Sequence, residues 1–566
     1  MKNDILTPAE LKELLLDAGV VTEEELAQAE ERAKSTDETL VQSLLWYNFI
    51  SDEELGRLMA DHLKFPFTIV SDKNIPPEIL QIIPEVVADK RRLMAFALDA
   101  GGLHVAMADP NDLEMRSFLE KKSGLPLVVY FATEHDIKNS LAFYRKEVSR
   151  AFDAILNASI QEAAKNKSGE SDPPIIHIVD TLVAYAYQNR ASDIHIEPRE
   201  EDMLVRFRID GVLHDIVKLP PKLHPQIIAR IKILGRLRTD EHQVPQDGKV
   251  EMLVENNHLD VRVSIIPTTE GEKVVLRLLS ERSRQFSLSN LGLLADDLEK
   301  LQSAYQKPYG MVLVTGPTGC GKTTTLYAVL KLLNRRSVNV VTIEDPVEYD
   351  MEGANQIQVN TDANLTFATG LRSILRQDPN IILVGEIRDD ETASIAINLA
   401  MTGHLVLSTL HTNNAATALP RLIDMHIEPF LIASTVNIIV AQRLVRKIHR
   451  ACRVSDEIDA KEILKHVGKP AFEKVFGTVQ AGEKVRLYRG KGCAACHDTG
   501  YEGRVGIFEI LTFNDAIRDA IVGQKDASTI EELAKASGMR TMLEEGLVKI
   551  QQGITTLDEI LRATKE

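Results

Sequence analysis

Only four cysteines occur in 566 residues, so no disulfide framework is expected. Long apolar runs are missing too. None approaches the roughly 18 residues of a membrane span. The most apolar stretch near the end, FLIASTVNIIV (Phe430–Val440), is broken by Ser434, Thr435 and Asn437. The opening MKNDILTPAE lacks the apolar segment of a signal peptide. A cytosolic protein with reduced cysteines is the expectation. Basic charge is also short: 66 Lys and Arg stand against 83 Asp and Glu, a net −17. That balance argues against a general nucleic-acid binder, which neutralises phosphates with a basic face, although a local basic patch is still compatible with it.

What is present suits a globular protein: 44% hydrophobic and 26% charged residues. The length implies three or four domains. Residues 1–62 read as helical, with a weak repeat at an offset of 29: LKELLLDAGVVTEEEL (Leu11–Leu26) against LVQSLLWYNFISDEEL (Leu40–Leu55). Thr22 and Ser51 precede acidic residues, as helix N-caps do. Residues 63–150 mix strands such as GLHVAMA and PLVVYFA with helices, a small α+β unit. A flexible linker is expected over 151–174, where AAKNKSGESDPP is polar and ends in two prolines. A second α+β domain follows over 175–285, with strands LVRFRID, LDVRVSIIPT and EKVVLRLL and a helix over PQIIARIKILGRL. From 286 to 566 strands and helices alternate, so the chain reads as multidomain α/β.

The segment GPTGCGKTTT spans Gly316, Pro317, Thr318, Gly319, Cys320, Gly321, Lys322, Thr323, Thr324 and Thr325. The apolar run MVLVT precedes it and a helical pattern follows. Glycines let the backbone turn tightly enough to aim N–H groups at an anion, and the helix N-terminus adds its positive end. Lys322 is placed to reach the β- and γ-phosphates of ATP, and Thr323 to ligate Mg²⁺. Cys320 reads either as a small residue that fits the loop or as a thiol acidified at a helix N-terminus.

Two further apolar runs end in acids. VVTIEDPVEY carries Glu344, Asp345 and Glu348, and NIILVGEIRD carries Glu386. Carboxylates at strand ends beside such a loop suit metal-assisted phosphoryl transfer. A third strand, in TGHLVLSTLHTNNA, is bracketed by His404 and His411. A strand-end histidine is usually structural; beside this loop the pair are also candidates for sensing the γ-phosphate.

Together these boxes resemble the secretion ATPases that power type II secretion and type IV pilus assembly. ASDIHIEP, RFRIDG, VPQDGK, LRSILRQDPNIILVGEIRD and AQRL strengthen the resemblance, which is strong over about 175–450. It implies a homohexameric motor with a RecA-like P-loop core and a preceding, PAS-like α+β domain that folds over the nucleotide. That domain would contribute arginines, here Arg206 and Arg208, with Arg230 a further candidate. Glu344 would position the attacking water and Glu386 would serve the metal, an order the resemblance leaves open. Asn380 and Asn414 stand where the family pattern suggests Asp. The partners implied are an inner-membrane platform protein and, indirectly, pilins or pseudopilins, with the ATPase recruited peripherally to the inner membrane and no nucleic acid involved. A RecA-like nucleic-acid motor is the rival reading.

His449, Cys452, Cys493 and Cys496 form an H-x-x-C … C-x-x-C set suited to tetrahedral Zn²⁺, with His497 as a substitute ligand. The assembly and secretion branch of the family carries two C-x-x-C pairs here, so His449 replaces one Cys. No water-activating residue accompanies the set, and a structural zinc clamping about 445–505 is expected. The N-terminal repeat resembles a cyclic di-GMP-binding domain whose motif begins Arg-Leu-Gly. Here the corresponding positions are Glu10-Leu11-Lys12 and Thr39-Leu40-Val41, without the guanidinium that stacks on guanine. Docking to the platform is the expectation for this region instead.

Overall fold

A computed structural model describes residues 6–564, apart from 37–38, 48, 72, 74, 142, 145–155, 157, 159–172, 255–256, 281–287, 479–483, 494–495 and 497. Most of the expected linker and His497 therefore lie outside the described residues. The chain forms two compact units. One comprises Met1–Tyr185 with Arg450–Cys452 and Gly492–Thr499; the other comprises Ala186–His449, Arg453–Lys491 and Gly500–Glu566.

In the first unit, helices α1 (Pro8–Asp17), α2 (Glu23–Thr36), α3 (Leu40–Tyr47) and α4 (Asp52–Leu63) surround a core that includes Leu11, Leu15, Leu26, Leu44 and Leu55. Each helix starts with a reciprocal cap: Thr7 with Glu10, Thr22 with Glu25, Thr39 with Gln42, Ser51 with Glu54. The hydroxyl accepts the backbone N–H three residues on, and that residue's side chain accepts the cap's own N–H, so local sequence alone sets where each helix begins. The strands β1 (Leu93–Asp99), β2 (Gly102–Met107) and β3 (Leu127–Phe131) follow as a small sheet, β1 antiparallel and β3 parallel to β2. Asp136, buried, accepts from the backbone N–H groups of Val70 and Ser71 and so pins the preceding loop to this sheet's helix.

The second unit holds two larger sheets. The first is antiparallel, in the order β6-β5-β4-β9-β8-β7: β4 (Asp193–Pro198), β5 (Met203–Ile209), β6 (Val212–Leu219), β7 (Gln246–Val254), β8 (Asn257–Thr268) and β9 (Gly271–Ser280). Helix α5 (His224–Leu234) buries Ile227, Ile228 and Ile231. The helix stops three residues short of the expected Leu237, because Gly235 caps it and the Leu237 N–H turns back to the Lys232 carbonyl.

The other sheet has the order β12-β11-β13-β14-β10-β15-β18. Its strands are β10 (Gly310–Thr315), β11 (Val340–Glu344), β12 (Ala354–Gln358), β13 (Ile381–Val384), β14 (Leu405–Leu410), β15 (Val436–Ile448) and β18 (Tyr501–Thr512), with β16 (Arg453–Asp459) and β17 (Lys484–Gly490) pairing separately. Within the seven-stranded sheet all neighbours are parallel except β18, which is antiparallel to β15; β16 and β17 are antiparallel to each other. Strand β10 is buried on both faces and alternates between two cores. Met311 and Leu313 join one, which contains Ala393, Ala396 and Ile397 of α7 (Asp390–Met401). Val312 and Val314 join the other, which contains Leu326, Tyr327 and Val329 of α6 (Lys322–Leu333). Each such side chain contributes about 1.5–3 kcal/mol. Helices on both faces of a mostly parallel sheet make this half α/β, and the carboxyl ends of its strands are where such folds place ligands.

Candidate nucleotide and metal sites

At the carboxyl end of β10 the chain enters the loop Gly316–Gly321 and then α6. Gly316 and Gly321 have φ of +146° and +90°, a region that favours glycine. Lys322 Nζ folds across the loop, donating to the carbonyls of Gly316 at 2.7 Å and Pro317 at 3.1 Å. Burial holds the Lys322 ammonium below its ordinary pKa, while Cys320 and Glu386 pull it back up. Cys320 is buried, and burial pushes its thiol up against the smaller opposing pull of Lys322 and Arg443. Burial thus works against an acidified thiol, and Cys320 sits in the loop as a small buried residue.

Three strands bring their ends to this edge. Glu386 follows β13 and lies between Arg388, at 2.6 Å, and His411 Nε2, which donates to it at 3.1 Å. Thr409 of β14 donates to the Gly385 carbonyl at 2.7 Å, and Thr412 N–H donates to Thr315 Oγ1 at 2.9 Å. The histidine box is thereby tied to the Glu386 strand on one side and to the P-loop strand on the other. Ile387, Arg388, Leu410, His411, Arg421 and Met425 line a cleft of about 360 Å³ beside Glu386.

Glu344 closes β11 and is 2% exposed. Tyr327 of α6 donates to its Oε2 at 2.5 Å and Thr342 to its Oε1 at 2.6 Å. Burial first, then the Glu344 charge, pushes the Tyr327 phenol up, so the phenol keeps its proton for that bond.

His404 precedes β14, which runs parallel to β10 with Leu405 opposite Gly310. It therefore sits at the amino edge of the sheet, about 20 Å of strand from the P-loop end, and its Nδ1 lies 3.0 Å from the Leu399 carbonyl. His411, at the carboxyl edge, is the one of the two that lies beside Glu386. Arg206 pairs with Glu197 at 2.7 Å and Arg208 lies 3.5 Å from Asp193, so both are engaged within their own sheet. The arginine of that sheet that meets the acidic box is Arg262 of β8. Its Nη1 is 3.3 Å from Glu348 Oε2 and its Nη2 donates to the Val347 carbonyl at 2.7 Å.

The ligand atoms of His449, Cys452, Cys493 and Cys496 all lie within 4.8 Å of one another. Sγ of Cys452 and Cys493 are 3.9 and 3.7 Å from that of Cys496. A tetrahedron with arms of about 2.3 Å has edges of ~3.8 Å, so the spacing and the donor set both fit zinc. Burial and the neighbouring Cys496 push the Cys452 thiol up to about 12.

The sequence matches the family described as Type II/IV secretion system protein over residues 168–562. The chain belongs to that family. Members of this family are ATPases using ATP and Mg²⁺, and so is this protein. Residues 63–149 match the MshEN domain. The chain is 38% identical to the type IV pilus assembly ATPase PilB of Myxococcus xanthus over 568 residues, covering 98% of each protein. It is 39% identical to the type II secretion system protein E of Xanthomonas campestris over 569 residues, again 98% of each. The X-ray structure of the Yersinia pseudotuberculosis ATPase DotB superimposes with a TM-score of 0.50, at 20% identity, over 68% of this chain and 93% of DotB, a likeness of fold. The RecA-like core expected from the P-loop boxes is thus the fold of this secretion ATPase. No helix among the described residues is long and apolar enough to cross a membrane.

Proposed function

We propose that this secretion ATPase is a homohexameric motor that hydrolyses Mg-ATP to drive pilin polymerisation in type IV pilus assembly, acting on an inner-membrane platform protein. The observation that carries this reading is the convergence of Lys322, Glu386 and His411 on one sheet edge, in a chain aligned end to end with a pilus assembly ATPase. Lys322 binds phosphate oxygens, Thr323 holds the magnesium, and Glu344 positions the attacking water while Glu386 serves the metal side. Magnesium, when bound, offsets charge on the transferring phosphoryl group. Zinc at His449, Cys452, Cys493 and Cys496 is structural. Residues 1–150 dock to the platform and hold the ATPase at the membrane surface. The lost arginines at Glu10 and Thr39 weigh against cyclic di-GMP as their ligand. The equal match to a type II secretion protein supports a second reading, in which the same motor assembles a pseudopilus for protein export.

ATP turnover measured against protein concentration tests the motor. Turnover that rises steeply with assembly and disappears in Lys322→Ala is expected; full activity from a dilute monomer overturns it. Deleting the gene in its host separates the two outputs: loss of surface pili with normal export supports the first, the converse supports the second.

A further inference from the structure

The AQRL box has no role in the account above. Its glutamine, Gln442, lies on β15 one residue beyond Ala441, which pairs with Thr315 at the end of the P-loop strand. The side chain is 1% exposed. Its Oε1 accepts from Thr325 Oγ1 at 2.7 Å, and its Nε2 donates to the Cys320 carbonyl at 2.8 Å. A carbonyl only accepts, so the amide nitrogen must face Cys320, and the Thr325 hydroxyl fills the oxygen on the other side. Both polar ends of a buried amide are thus satisfied by the P-loop and its helix.

The Cys320 carbonyl and the Gly321 N–H belong to one planar trans peptide and point in opposite directions. Holding the carbonyl toward Gln442 turns the Gly321 N–H away from it, into the loop. Two of the three loop glycines also answer to this residue. A Cβ on Gly321 would stand 2.9 Å from Gln442 Nε2, and one on Gly316 would stand 2.5 Å from the Gln442 carbonyl oxygen. Either contact forces a shift. We propose that Gln442 is a positioning residue for the nucleotide phosphates, clamping the Cys320–Gly321 peptide so that its N–H is aimed at them before nucleotide arrives. This rests on reading Gly316–Thr323 as the phosphate cradle.

A ground-state contact of this kind is kept in the transition state, so its loss raises KM and leaves kcat. Loss of folded protein does the reverse. Gln442→Glu keeps the size and the acceptor for Thr325 but sets a carboxylate against the Cys320 carbonyl. At fixed protein concentration, it should raise KM for ATP and Kd for a fluorescent ADP analogue by about tenfold, the worth of one buried hydrogen bond. Its kcat per folded molecule should stay within about twofold, while its nucleotide-free melting temperature should fall, since a buried acid faces a carbonyl it cannot pair with. Thr325→Val, which releases only the orienting hydroxyl, should raise KM in the same direction by about threefold. The proposal is overturned by unchanged KM and Kd in folded Gln442→Glu, or by a fall in kcat alone. If that variant does not fold, Thr325→Val with wild-type KM overturns it. Failure of the wild-type protein to bind the ADP analogue is a different result: it removes the cradle reading and this inference with it.

Discussion

Arg262 on β8 and Glu348 in the acidic box form an ion pair of 3.3 Å, and the same guanidinium donates to the Val347 carbonyl. The antiparallel sheet therefore reaches the ATPase sheet's acidic loop through one side chain. An arginine so placed can couple the geometry of one domain to charge at the other's site.

Arg262→Ala should reduce ATP turnover by about tenfold or more, with nucleotide affinity largely kept. Arg262→Lys should rescue little, because a point charge cannot make both contacts. Steady-state kinetics beside ADP binding measures this; unchanged kcat in Arg262→Ala would make the pair merely structural.

The two carboxylates are expected to part company. Glu344→Gln should lower kcat by about a hundredfold and keep ATP binding, as removal of a group that orients water does. Glu386→Gln should shift the magnesium dependence of turnover to higher concentration. If instead Glu344→Gln shifts the magnesium curve and Glu386→Gln spares it, the roles are exchanged.

Zinc should be present at about one ion per chain by elemental analysis. Cys493→Ser should lower that content and the melting temperature by several degrees, since binding a structural ion is part of folding energy. A chelator should act in the same direction on the intact protein and have no further effect on a zinc-free variant.

Glu509, on β18, accepts from the N–H of Ala415, the last residue of the histidine box, at 2.9 Å. Burial pushes its carboxyl up to about 7; the Ala415 N–H, Lys535 and the Met542 backbone oppose this, and Glu531 adds to it. With a folded pKa above the unfolded one, the native state binds the extra proton. Its stability contribution is therefore full in acid and lost as pH rises from about 4.5 through about 7. Glu509→Gln keeps an acceptor without the charge, so it should melt progressively higher than wild type as pH rises from 5 to 8, by about 1–3 kcal/mol of stability. A difference independent of pH would refute this.

Much of the site was legible because the chemistry is written in local spacing. The glycines and lysine of Gly316–Thr323 and the H-x-x-C and C-x-x-C pairs act over a few residues, so their pattern survives in one dimension. Arg262 was not legible: it is one of several arginines spread over different strands of its sheet, and only the folded arrangement shows which of them faces Glu348. His404 and His411 look equivalent in sequence, yet a parallel strand sends its two ends to opposite edges. Gln442 was visible as part of a box but carried no signal of purpose, because its partners Cys320 and Thr325 are over a hundred residues away. The first unit's helix starts were the easiest of all, since each cap is complete within four residues.

Strand β15 passes the P-loop at Gln442 and ends at Ile448, one residue before His449 of the metal cluster. Seven residues of extended chain separate the two, about 23 Å. One strand thus passes beneath the phosphate loop at Gln442 and carries the chain on to the first ligand of the metal cluster, so a single element serves both places.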